Sequence, residues 1–345
     1  MALPGIHNQR RRSLSSTDRA ESLHGFLCKR MTKSDLRHTV DAFAQGARRA
    51  REAGLDGVKL HGANGYLITQ FLSSGINDRD DAYGGPLSNR ARFLLDSIRA
   101  IRAEVGDDYH LQVKISAVDH NNVIPWEGKG NSLKDTIRVC RWCEAAGVDA
   151  IHVSMGSLFP HPLNPPGDFD FETVIATYDA MIYAGVNTFR NYLIFRYRVL
   201  RPIFRWIWFR MKHALPGRGR GSGHDSGHQG GVFVPVICTG GFQDAAQVRR
   251  YLADGWFDDV SMARPLIANP DLPLVWAQGR DLPERPCTFC SKCYADAPKN
   301  LLGCYELDRF DGDWDRMVAE IHKIYETKPV LQIPEYLGLA GGVAP

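Results

Sequence analysis

Acidic residues are missing from one long stretch of this 345-residue chain: between Asp179 and Asp225 lie nine Lys and Arg and no Asp or Glu. The overall net charge of +3 therefore conceals −6 on the remainder, and an anionic partner would meet that stretch and not the surface at large. No basic surface broad enough for nucleic acid is expected. The amino terminus lacks the apolar run of a signal peptide, since Arg10 to Arg12 are followed by Ser13, Ser15 and Ser16. That pattern argues against secretion and for a cytoplasmic protein. Cysteine is sparse outside one cluster: Cys28, Cys140, Cys143 and Cys238 are scattered, whereas Cys287, Cys290, Cys293 and Cys304 fall within eighteen residues. Clustered thiols without an export signal favour metal ligation over disulfides.

What is present suffices for a sizeable core, at 44% apolar residues. Over 33–53, Leu36, Val40, Phe43 and Ala47 recur at helical spacing, with Ser34 as cap and Gly54 as stop. A strand containing Val58 and Leu60 follows. The alternation continues as strand His110–Ser116, helix 132–146, strand Ala150–Ser154, strand Val234–Thr239, helix 243–253 and strand Asp259–Met262. Short apolar runs, each preceded by an amphipathic helix, predict a parallel α/β domain.

The stretch 162–232 is longer than an ordinary strand-to-helix connection. From Phe189 to Met211 it interleaves bulky apolar groups with Arg190, Arg196, Arg198, Arg201, Arg205 and Arg210. Six arginines exclude a hydrocarbon-spanning helix, at roughly 2.5 to 3.5 kcal/mol each near its centre. An amphipathic helix pair broken at Pro202 is expected, either lying on a membrane surface through 189–211 or packed as a flap on the domain or on a second subunit. Gly217 to Gly231 reads as a flexible linker, with His224 and His228 as weak metal candidates.

Chemistry concentrates in Leu60-His61-Gly62-Ala63-Asn64-Gly65-Tyr66-Leu67, where an imidazole, an amide and a phenol occupy i, i+3 and i+5 after an apolar strand. Gly62 and Gly65 permit a tight turn that would gather the three at one strand end. An isolated histidine also serves structural roles, and spacing alone leaves both readings open.

The wider chain, from about Thr32 to Arg309, resembles the Old Yellow Enzyme family, particularly its branch related to 2,4-dienoyl-CoA reductase. The resemblance rests on the His61 segment, Gln70-Phe71-Leu72-Ser73, Asp81 to Gly85, Asn89-Arg90-Ala91-Arg92-Phe93, Cys238-Thr239-Gly240-Gly241-Phe242 and Ala263 to Asp271. It implies a (β/α)8 TIM barrel with its active site at the carboxyl ends of the strands. Only five strands are predicted, corresponding to the fourth to eighth. The barrel is thus expected to be incomplete, with a truncated gene model, a degenerate copy or completion by another chain as explanations. Residues 1–31 are expected to be a poorly structured tail, 32–284 the partial barrel, and 285–345 a Cys-rich module and terminal tail.

The resemblance further implies an FMN-dependent oxidoreductase that takes hydride from NAD(P)H and passes it to an activated alkene, an enone or enoyl substrate. His61 and Asn64 match the pair that binds the substrate carbonyl, and Tyr66 the proton donor. Lys114 stands where most relatives have Arg near the flavin, while Gly240, Gly241, Ala263 and Arg264 match phosphate contacts. The cysteine spacing C-x2-C-x2-C-x10-C is close to the C-x2-C-x3-C-x11-C that holds a [4Fe-4S] cluster in that branch. Tetrahedral zinc is the second reading and unligated thiols the third. The alternative to an enzyme is a truncated, non-catalytic relative that is membrane-associated or partner-binding and cannot retain flavin. Oligomerisation is compatible with either.

Overall fold

The computed structural model describes residues 12–120, 130–156, 161–164, 169–213 and 231–326. Two short strands, β1 (Ser13–Ser15) and β2 (Cys28–Arg30), pair in parallel as a separate ribbon. The principal sheet has five parallel strands, β3 (Gly57–Gly62), β4 (His110–Ser116), β5 (Ala150–Ser154), β6 (Val236–Thr239) and β7 (Asp259–Ser261). They lie in chain order, each bonded to the next. Helices fill every crossover: α1 (Lys33–Glu52) precedes β3; α2 (Leu67–Leu72) and α3 (Leu87–Val105) lead to β4; α4 (Leu133–Ala145) leads to β5. Between β5 and β6 come α5 (Phe171–Ala180), α6 (Val186–Arg196) and α7 (Arg201–His213), then α8 (Ala245–Ala253) before β7. After β7 follow α9 (Arg264–Ala268), α10 (Leu272–Ala277), α11 (Lys292–Asp296) and α12 (Trp314–Glu326). Five parallel strands with sequential crossovers make an incomplete (β/α)8 architecture, with β3 and β7 at the open edges among the described residues.

The period-two alternation of a strand divides this sheet into two faces. Leu60, Leu111, Val113, Ile115, Ile151, Val153 and Val236 point to the helical layer, where they join Phe71, Phe93, Leu94 and Ile98 in one buried core. The opposite face carries Lys59, His61, Lys114, His152 and Thr239. Closing such a face inside a barrel is what gives polar side chains a sheltered strand end.

Several motif residues turn out to be scaffolding. The guanidinium of Arg90 donates to Leu72 O (2.8 Å), Gly85 O (2.5 Å) and Asn131 Oδ1 (3.0 Å), tying α3 to the segment after α2. Arg79 pairs with Asp81 at 2.5 Å and donates to Met31 O at 2.8 Å. At Gly84 a Cβ would lie 2.0 Å from Arg79 O, so the close pass of the two chains requires glycine.

Four expectations are corrected. Residues 12–31 do not form a loose tail: Ser15 and Ser16 are buried, and their hydroxyls donate to Gln70 Oε1 and Gln70 O at 2.8 and 2.7 Å. Helix α1 is capped by Thr32 and not Ser34, through a capping box with Asp35, because that pair satisfies two amides reciprocally. Pro202 does not break the helix pair; it lies in the first turn of α7, where a missing N–H costs nothing, and the break falls at 197–200. Strands β6 and β7 are shorter than expected at one end each, beginning at Val236 and ending at Ser261. His224 and His228 lie outside the described residues. Among those described, no helix is long and apolar enough to cross a membrane.

Candidate active site

The end of β3 brings His61, Asn64 and Tyr66 together. The chain leaves the strand through Asn64 (φ 58°) and Gly65 (φ 80°), two left-handed positions that asparagine and glycine tolerate best. Partners remote in sequence lock this turn: the Asn64 amide N–H donates to Ser116 Oγ (3.3 Å), and Asn64 Nδ2 donates to Met155 O (3.3 Å). Ser116 is itself held, its hydroxyl donating to Gly156 O at 2.8 Å. At Gly62 a Cβ would lie 2.8 Å from Lys114 O, so β3 and β4 approach here more closely than a side chain allows.

The backbone N–H of Ala63 donates to His61 Nδ1 at 3.3 Å. With Nδ1 accepting, the neutral ring carries its proton on Nε2. Burial, then Lys114, then Lys59, lower the pKa of His61, so the neutral tautomer prevails at pH 7. The rings of His61 and Tyr66 are 4.7 Å apart between centroids and tilted by 57°. Tyr66 precedes α2 and is 60% exposed. The site thus offers a neutral imidazole N–H, a tethered amide and an accessible phenol on one turn.

Lys114 is opposite His61 in the β3–β4 register and opposite His152 in β4–β5. Burial and then Lys59 lower its pKa. His152, which the sequence did not single out, sits between Lys59 Nζ (3.0 Å from Nδ1) and the Thr239 hydroxyl at Nε2. Its pKa is pushed down to about 4 by burial first and then by Lys59, Lys114 and His61. The signal was available: Lys59 and His152 alternate onto the same strand face as His61 and Lys114.

Gly240 and Gly241 follow β6 with φ of 139° and 71°. Ala263 is exposed at the start of α9. Arg264 is engaged elsewhere: its Nη1 donates to Phe289 O (3.1 Å) and Ser291 Oγ (2.9 Å), and its guanidinium lies 5.2 Å from the Phe289 ring centroid. The expected phosphate ligand is thereby joined to the cysteine loop. In that loop Phe289 and Ser291 adopt left-handed backbone (φ 58° and 66°). Burial raises Cys287, takes Cys290 to about 11 and, with the neighbouring thiols, takes Cys293 to about 12. Among the described residues no three His, Cys, Asp or Glu side chains converge as a metal-ligand set. Helix α11, inside this module, carries Tyr294 into the electrostatic neighbourhood of Tyr66, a proximity that spacing could not reveal.

Comparison with known proteins follows the same lines. An NADH oxidase of Thermoanaerobacter brockii is 30% identical over 262 residues, 76% of this chain and 32% of that protein. An NADPH dehydrogenase of a Geobacillus species is 46% identical over 132 residues, 38% of this chain and 36% of that protein. The chain spans about a third of the length of these curated relatives. A 2-naphthoyl-CoA reductase in complex with 2-naphthoyl-CoA superposes with TM-score 0.59 at 25% identity, over 88% of this chain and 39% of that one. The old yellow enzyme homologue from Zymomonas mobilis shares the fold, with TM-score 0.51 at 20% identity over 80% of this chain and 64% of that one. The sequence profile of the NADH:flavin oxidoreductase / NADH oxidase family matches residues 7–179, half of the chain and the part that bears the β3 turn, and the protein belongs to that family.

Proposed function

We propose that the strand-end site serves an FMN-dependent oxidoreductase of ene-reductase type, acting with NAD(P)H on an activated alkene of the enone or enoyl class. One observation carries this reading: Ala63 N–H occupies His61 Nδ1, which leaves a neutral imidazole with an Nε2 proton on the same turn as Asn64, whose amide has a second N–H besides the one given to Met155 O. Two such donors suit a carbonyl oxygen on which enolate charge grows, because fixed dipoles stabilise developing charge without reorganising. Tyr66, on the same turn, donates its hydroxyl proton to the α-carbon. The carbon it meets is strongly basic, so geometry governs its use.

The donor set suits a flavin in part. Lys114 supplies positive charge at the strand end, and the Gly240-Gly241 turn has backbone amides without side chains to obstruct a phosphate. Ala263 would border that phosphate, and Arg264, held to Phe289 O and Ser291 Oγ through Nη1, would meet it with its remaining N–H groups. When bound, FMN would supply the hydride it receives from NAD(P)H. For the cysteine module, [4Fe-4S] is the first proposal and zinc the second, and neither enters these steps. Elemental analysis of anaerobically purified protein separates them: about four iron and four sulfide per chain for a cluster, about one zinc for a structural site.

Titration with FMN, followed by quenching of flavin fluorescence, tests the reading. Binding by the full chain, weakened in Lys114→Ala, together with enone-dependent NAD(P)H oxidation, is the expected result. A chain that binds no FMN at any concentration would instead be the non-catalytic relative.

A further inference from the structure

Helices α6 and α7 are anchored on one side and expose apolar side chains on the other. On the anchored side Tyr192, Phe195, Phe204 and Trp208 pack against Phe169, Phe171 and Tyr178 of the α5 region, and Trp208 Nε1 donates to Phe169 O at 2.9 Å. The start of α6 is fixed as well, with Asn187 N donating to His24 O at 3.0 Å and its side chain to Ser22 O at 3.0 Å. This is a seated element and not a loose connection.

On the exposed side of α7, Ile203, Trp206 and Phe209 recur at i, i+3 and i+6 and are 56%, 63% and 58% exposed. Along α6 the exposed apolar residues are Val186, Phe189 and Leu193, at i, i+3 and i+7. Surface helices ordinarily present polar residues outward. Here the flanking polar groups are almost all cationic: Arg190, Arg196, Arg198, Arg201, Arg205 and Arg210. Only Arg205 has an acidic partner, Glu172, and the other five form no ion pair among the described residues. Arg196 and Arg210 lie instead over the rings of Tyr192 and Trp206, 5.5 and 5.9 Å from their centroids.

We propose that the α6–α7 pair docks on the surface of an anionic phospholipid bilayer, with Ile203, Trp206 and Phe209 entering the headgroup boundary and the unpaired arginines meeting lipid phosphates. Charge complementarity singles out this occupant. A second copy of the chain would bring the same uncompensated arginines face to face, whereas an anionic bilayer supplies both the missing charge and an apolar layer.

Flotation of the full chain with vesicles of phosphatidylglycerol and phosphatidylcholine, against phosphatidylcholine alone, tests this. The wild type should float with the anionic vesicles at low salt and be released as salt rises. Arg190→Gln/Arg198→Gln/Arg210→Gln should weaken partitioning about a hundredfold, from roughly 1 kcal/mol per cation. Ile203→Ser/Trp206→Ser/Phe209→Ser should abolish it with circular dichroism unchanged, because these side chains are more than half exposed. Absence of flotation at low salt, or flotation that survives both variants, overturns the proposal. So does a concentration-dependent dimer that only the apolar variant dissolves, since the face would then join two copies of the chain.

Discussion

At the end of β3 the His61 ring and the Asn64 side chain are each held by a backbone partner and still present an N–H; in the cysteine loop Cys293 is buried and Cys287, Cys290 and Cys304 are half-buried. Ser116 and Met155, respectively 52 and 91 positions away, hold the Asn64 turn, and His61 is left with a proton on Nε2. In the loop, burial raises the thiols of Cys287, Cys290 and Cys293, and Arg264 is spent on Phe289 and Ser291. Closeness in sequence gathers side chains at one place on the β3 turn, where a strand end fixes the direction of the chain.

The largest effect should come from removing the β3 donors. His61→Ala/Asn64→Gly, in which glycine preserves the left-handed turn, should lower enone reduction by about 10²- to 10³-fold, the range for oxyanion-stabilising donors. Steady-state rates on FMN-loaded protein check it, and a loss below about fivefold would place substrate polarisation elsewhere.

An intermediate effect is expected on the other side of the comparison. Arg264→Ala should destabilise the cysteine loop by about 1–3 kcal/mol, because Phe289 O and the Ser291 hydroxyl lose a buried donor. Hydrogen exchange should quicken across 287–293 while β3 and β4 keep their protection. Equal loosening of both regions would show that Arg264 supports the whole sheet and not the loop alone.

The smallest effect concerns His152. Its folded pKa of about 4 lies below the ordinary 6.5. The unfolded chain therefore binds more protons between those values, and stability falls as pH drops from 6.5 toward 4. His152→Gln should flatten that part of a melting-temperature profile. An unchanged slope would assign the acid sensitivity to other groups.

Much of this arrangement was legible in the chain. The strands of the principal sheet follow from runs such as Leu111-Gln112-Val113-Lys114-Ile115, and the β3 turn from Gly62 and Gly65. Contacts that cross the fold were not. Strand alternation puts Lys59 and His152 on one face, but only the register of β3, β4 and β5 brings them alongside. Arg264 read as a phosphate ligand from its position after β7; its bonds to Phe289 and Ser291, whose left-handed backbone no spacing discloses, were not legible. Ser15 and Ser16 looked like tail residues until Gln70 supplied their hydrogen-bond partners.

The central claim is that the β3 turn polarises a substrate carbonyl while Tyr66 delivers a proton, and the two half-reactions of Tyr66→Phe test it most directly. Anaerobic stopped-flow absorbance separates reduction of the bound flavin by nicotinamide from its reoxidation by an enone. The account predicts an unchanged first step and a second step slowed by about 10²-fold or more, the usual contribution of a positioned general acid. Equal rates in variant and wild type, or equal slowing of both steps, would contradict it.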